Sequence, residues 1–110
     1  MQSPGGVRRF YRIVSYNPAV VRDFLSYQGL GKGPPDPKNT ALYDGVSVWI
    51  RKEPAVYKAR SWGKPAFVAE LAVPMDRSIL MARTTDTRWH YTIWAAPELL
   101  LRLVSAVEQV

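Results

Sequence analysis

Asp44-Gly45-Val46-Ser47-Val48-Trp49-Ile50 is the most strand-like stretch before residue 65, and its reading decides the fold class. A turn-forming Asp-Gly pair is followed by β-branched and aromatic residues, and nothing in the run favours a helix. By the two-residue alternation of a strand, Val46, Val48 and Ile50 share one face while Ser47 and Trp49 share the other. The aliphatic face belongs to a core. The opposite face sets a hydroxyl beside an indole, which suits either a binding cleft or a second packed layer.

On the N-terminal side of this strand, residues 1–7 read as a flexible leader and Arg8 to Val14 as another strand, with Phe10, Arg12 and Val14 on one face and Arg9, Tyr11 and Ile13 on the other. A guanidinium at mid-strand must be paired, carried to an edge, or used to hold a phosphate or carboxylate in its fork. Asn17-Pro18 has the form of a helix start, and the apolar residues Val20, Val21, Phe24 and Leu25 predict a helix over 18–28 that Gly29 closes. Residues 29–40 hold three glycines and three prolines, which makes them a long loop. Its Gly29-Leu30-Gly31-Lys32-Gly33 run lacks the spacing and the preceding strand of a phosphate-binding P-loop, so that reading is rejected.

On the C-terminal side, Glu53-Pro54 opens a helix through Trp62 that places Ala55 and Ala59 on one face and stops at Gly63. Small residues at that spacing let a helix lie close to a sheet. Strands follow at Ala66 to Val73, Ser78 to Thr84 and Trp89 to Ala95, and the short connections between them predict an antiparallel meander. Glu70, on the face with Val68 and Ala72, reads as an acid at an edge or paired with an arginine. From Pro97 the periodicity of Leu99, Leu100, Leu103, Val104 and Val107 favours a helix, with a closing strand over Leu103 to Val110 as the alternative.

The whole predicts a single α+β domain over residues 8–110, with a mostly antiparallel sheet of five or six strands and two or three helices. Its core should draw on Val14, Val21, Phe24, Leu25, Val46, Val48, Ile50, Phe67, Leu71, Ile79, Ile93 and Leu100. A length of 110 residues suits one core and not two, and the 47% apolar content excludes disorder over most of the chain. No apolar run reaches the roughly 20 residues needed to span a bilayer, and the first residues lack a signal peptide, so a cytoplasmic location with no membrane partner is expected. The chain has no cysteine and a single histidine, His90, so no metal is expected.

The formal net charge of +6 is unevenly spread. Residues 1–64 carry eleven Lys and Arg against four acids, whereas residues 65–110 carry four against five. Such an asymmetry suits a phosphate-bearing or acidic partner, whether a nucleotide, a nucleic acid or a protein, and equally a solvated cationic surface. The densest chemistry is in Arg88-Trp89-His90-Tyr91-Thr92-Ile93-Trp94. There His90, Thr92 and Trp94 share one strand face, either to stack on and hydrogen-bond a planar ring or to form a core aromatic layer.

Tyr11-Arg12-Ile13, Asp23-Phe24-x-Ser26-Tyr27, Asp44 to Trp49 and His90-Tyr91-Thr92-Ile93-Trp94 together resemble a group of small uncharacterised bacterial proteins, over most of the chain from residue 10. More distantly, the layout resembles the ADP-ribosyltransferase-like fold, including the small toxin domains that consume NAD. That resemblance implies an NAD cofactor, with Arg12 on the first strand holding the dinucleotide and Ser47 on the next core strand. It implies a late-strand glutamate as well, where this chain has His90 to Trp94; Glu70 comes earlier and Glu98 lies just past the strand. Ser47 and His90 are therefore the candidate catalytic residues, and Arg12, Trp49 and Trp94 the candidate cofactor-binding residues. A transferase of altered chemistry and a scaffold that binds a nucleotide without turning it over fit the same residues, and a basic module for nucleic acid or a protein is the alternative.

Overall fold

The computed structural model describes residues 6–26, 29–31, 45–63, 65–76, 78–83 and 87–110. The start of the expected leader, most of the proline-rich loop, Asp44 and the turn at Thr85-Asp86 lie outside these residues. The expected α+β class is found: a six-stranded antiparallel sheet with two α-helices. The strands are β1 (Val7–Val14), β2 (Val46–Trp49), β3 (Phe67–Pro74), β4 (Leu80–Ala82), β5 (His90–Trp94) and β6 (Val104–Gln109), arranged in the order β4-β5-β2-β1-β3-β6. Helix α1 spans Lys52–Arg60 and α2 spans Pro97–Arg102.

Register assigns the faces. Val46 lies opposite Ile93, Val48 opposite Tyr91, and Phe10 opposite Leu71. Tyr11 faces Trp49, so Phe10 points to the other side of the sheet from that indole. The Phe10 side is the main core, where Phe10, Val14, Val46, Val48, Leu71 and Ile93 are buried with Phe24 and Leu100 from the layer above. The Trp49 side is covered by α1, which contacts β1, β2 and β3 through the fully buried Ala55 and Ala59. Methyl side chains at these positions are what let the helix axis approach the strands. A turn at Ser61 and Trp62 follows, and Gly63 takes a left-handed φ of 67° as the chain leaves the helix.

The structure corrects several expectations. The predicted helix over 18–28 is a single 3-10 turn, Val21–Phe24, and the Asn17-Pro18 bond that was to start it is cis. The Asp23 carboxylate organises this segment instead, accepting from the Ser15 N–H at 2.8 Å and the Val20 N–H at 3.0 Å. The chain from 15 to 20 therefore curls around one side chain, and helical bonding begins only with Asp23 N–H to the Val20 carbonyl. Without the longer helix, Val21 and Leu25 are only half-buried and lie outside the core cluster. Ile50 and Phe67 pack against the edge of that cluster.

The predicted β3-β4-β5 meander is also overturned. β4 pairs with β5, but β3 lies between β1 and β6. Buried residues on both faces of β3, such as Val68, Ala69 and Leu71, mark it as an interior strand with two neighbours. At the C-terminus the helix stops at Arg102 and Val104–Gln109 is a strand, so the helical stripe through Val107 is not formed. Val7, assigned to the leader, already belongs to β1, and the Gly6 carbonyl accepts from the Met75 N–H. Glu70 is paired as expected, with Arg9 Nε at 3.2 Å from its carboxylate, and Ser105 Oγ donates to the same oxygen.

Candidate functional site

Tyr11 opposite Trp49 is the point where β1 and β2 meet. Beyond it a side chain ties the strands: Arg12 Nη1 donates to the Ser47 carbonyl at 2.7 Å, and Nε donates to the Asp23 carbonyl at 2.8 Å. The guanidinium thus fastens the 3-10 turn to β2, with its ring-like plane near Phe24, 6.0 Å from the phenyl centroid. It also forms part of the wall of a cleft of about 330 Å³ that lies where β1 and β2 separate and takes lining residues from both faces of the sheet.

Ser47, Trp49 and His90 line the same cleft. They share a face because β2 and β5 are antiparallel with Ser47 opposite Thr92 and Trp49 opposite His90. Ser47 and His90 are consequently diagonal neighbours. Trp49 and His90 make an edge-to-face pair, with ring centroids 5.0 Å apart and planes at 73°. His90 is buried, and loss of solvent pulls its pKa below the ordinary value of 6.5, so the imidazole is neutral at neutral pH. A neutral imidazole offers one donor and one acceptor to a ligand or neighbour without adding charge.

Trp94 is not in the lining. It covers Gly45, where an added Cβ would stand 2.9 Å from Trp94 Nε1 and 2.2 Å from Thr92 Cγ2. Glycine is required at 45 by this close approach, rather than by the turn that the Asp-Gly pair suggested. Lys58 and Trp62, in and just after the last turn of α1, are polar or aromatic lining residues that the sequence reading did not name as site residues. Lys58 lies in the last turn of the helix beside the buried Ala59, and Trp62 lies in the turn that follows. Leu25 and Leu30 close another side with apolar surface.

The arrangement joins an indole, a neutral imidazole, a hydroxyl and two cations, Arg12 and Lys58, and the described lining includes no Asp or Glu. It therefore suits an anionic ligand with a flat ring. Among the described residues no three His, Asp or Glu side chains come together as a metal site. Among them, too, no helix is long and apolar enough to cross a membrane. No family model, no curated protein and no solved structure matches this chain.

Proposed function

We propose that this domain binds a nucleotide of the NAD kind in the cleft beside Trp49 and holds it without turning it over. The observation that carries this reading is the meeting of Arg12, Ser47, Trp49 and His90, from three different strands, in one cleft with Lys58 at its rim. A volume of about 330 Å³ is at the small end for ligand sites and fits one nucleotide unit. Trp49 supplies a stacking surface, the neutral His90 a hydrogen bond to the ring edge, Ser47 a hydroxyl for the sugar and Lys58 the charge for a phosphate. Arg12 is a positioning residue, because its donors hold backbone carbonyls that shape the wall.

Binding without turnover is favoured by the missing acid. The Arg-Ser-Glu set implied by the resemblance to ADP-ribosyltransferase-like toxins needs a carboxylate at the site. The described lining supplies none, and Glu70 is engaged by Arg9 and Ser105.

The test is a thermal-shift titration against AMP, ADP-ribose and NAD, since a ligand that binds only the native state raises its melting point. Ligand at 100 times Kd is worth about 2.7 kcal/mol, a rise of roughly 10 °C for a domain of this size. Trp49→Ala should weaken binding by roughly 1–3 kcal/mol, the range for loss of a base-stacking aromatic. No shift with any of the three nucleotides at millimolar concentration would remove the reading.

A further inference from the structure

A second cavity borders the cleft at Trp49. This is an open trough of about 590 Å³, and both Trp49 and Lys58 line it as well as the cleft. Arg51, Tyr57, Arg88 and Trp89 also line it. Two guanidinium groups converge on the Trp89 indole, that of Arg88 at 4.5 Å and that of Arg51 at 5.0 Å from the ring centroid. Attraction between each cation and the ring face biases both guanidiniums toward the trough.

The backbone at Trp89 adds an independent observation. It has a left-handed φ of 67°, the one such non-glycine residue among those described. Its carbonyl accepts from the Ile50 N–H at 2.8 Å, which anchors the loop to the end of β2. A bulky aromatic in this conformation is strained, and such strain collects where a side chain must be presented in a set direction. Charge points the same way. Arg51, Lys58 and Arg88 face one acid in the trough, the exposed Glu53, whose carboxylate lies 3.7 Å from Arg51 Nε. A pair that open to water neutralises little, and a net positive field remains.

We propose that this trough is a second subsite, and that the ligand is a dinucleotide whose two halves are joined through phosphates. One ring occupies the cleft, the phosphate bridge crosses Trp49 at Lys58, and the distal half lies against Trp89 between Arg51 and Arg88. The proposal rests on the reading of the cleft as a nucleotide site. Two subsites that share one indole and one lysine match two rings on a short anionic bridge, whereas the cleft alone holds one.

Binding constants for AMP, NAD and an eight-nucleotide oligouridylate, measured by calorimetry on wild type and Arg88→Ala, test it. NAD should bind wild type at least about tenfold more tightly than AMP, the effect of 1.4 kcal/mol from charge-assisted contacts in the trough. Arg88→Ala should leave AMP affinity unchanged and bring NAD to near that of AMP. Arg51→Ala provides the same comparison should Arg88→Ala lower the melting point of the free protein. If AMP binds but NAD binds no better, or if neither substitution changes the NAD to AMP ratio, the second subsite is wrong and the cleft reading stands. If neither nucleotide binds, both fall. Octamer binding tighter than NAD, and steeply salt-dependent, overturns the proposal in favour of a single-stranded nucleic acid track.

Discussion

Arg12 and Ser47 are joined by a side chain to backbone bond, Nη1 to carbonyl at 2.7 Å, across the gap where β1 and β2 separate beyond Tyr11 and Trp49. With Nε on the Asp23 carbonyl, the guanidinium spans two segments from two separate nitrogens held in one rigid plane, a geometry that the single nitrogen of a lysine lacks. Arg12→Lys should lower stability by about 1–3 kcal/mol, the range for hydrogen bonds to a charged group, and weaken nucleotide binding only as the wall shifts. Urea unfolding gives the first quantity. An unchanged midpoint accompanied by lost affinity would instead make Arg12 a direct ligand contact.

Asp23 is buried, and its two carboxylate oxygens serve different backbone donors, Ser15 N–H and Val20 N–H. Asp23→Asn turns one acceptor into an NH2 group facing a donor. The expected loss is about 1–3 kcal/mol, the cost of a buried group left unmatched. Hydrogen exchange should show Ser15 or Val20 losing protection while the amides of β3 keep theirs, and uniform loss across the sheet would contradict this local role.

Gly45→Ala should destabilise by at least about 1–3 kcal/mol, the usual range for overpacking, because the new methyl would lie 2.2 Å from Thr92 Cγ2. Thr92→Ser removes that methyl. The double variant should recover part of the loss, since contacting sites couple energetically. Strict additivity in the double-mutant cycle would show that the clash is not where the structure puts it.

Burial lowers the His90 pKa, so the unfolded chain binds its proton first as pH falls. The stability due to the neutral buried imidazole is complete above the unfolded value near 6.5, and is lost as pH drops through 6.5 toward the lower folded value. Unfolding free energies at pH 7.5 and 5.5 should therefore differ more for wild type than for His90→Gln. Equal differences in the two proteins would remove His90 from the pH response.

The strands and α1 were legible because their signals are local. Val46, Val48 and Ile50 alternate, and Ala55 and Ala59 share a helical face closed by Gly63. Pairing was not legible where it is distant. The short stretch after Pro74 suggested a hairpin, yet β3 takes β1 and β6 as neighbours, and its apolar residues on both faces were the clue to an interior position. The helix expected from Asn17-Pro18 failed because one carboxylate, Asp23, outcompetes helical bonding, and the sequence does not say where a side chain folds back. At the site, strand alternation correctly grouped Ser47 with Trp49 and marked His90, since face membership follows from counting by two. Trp94 has the same parity, but its place over Gly45 depends on a cross-strand approach. Lys58 and Trp62 enter the cleft only because α1 crosses that part of the sheet.

β1 runs beside β3 along its full length, Val7 against Pro74 and Val14 against Phe67, although β2 and α1 lie between them in the chain. During synthesis, β1 lacks this neighbour until Phe67–Pro74 has left the ribosome, and Phe10 and Val14 lack much of the surface that shelters them. Closing such long loops costs entropy before the contacts compensate, which places the domain among slower folders, roughly milliseconds to seconds. A nascent chain ending before β3 is therefore not a half-folded domain. At about 5–20 residues per second, translation leaves its apolar segments open to chaperones for several seconds.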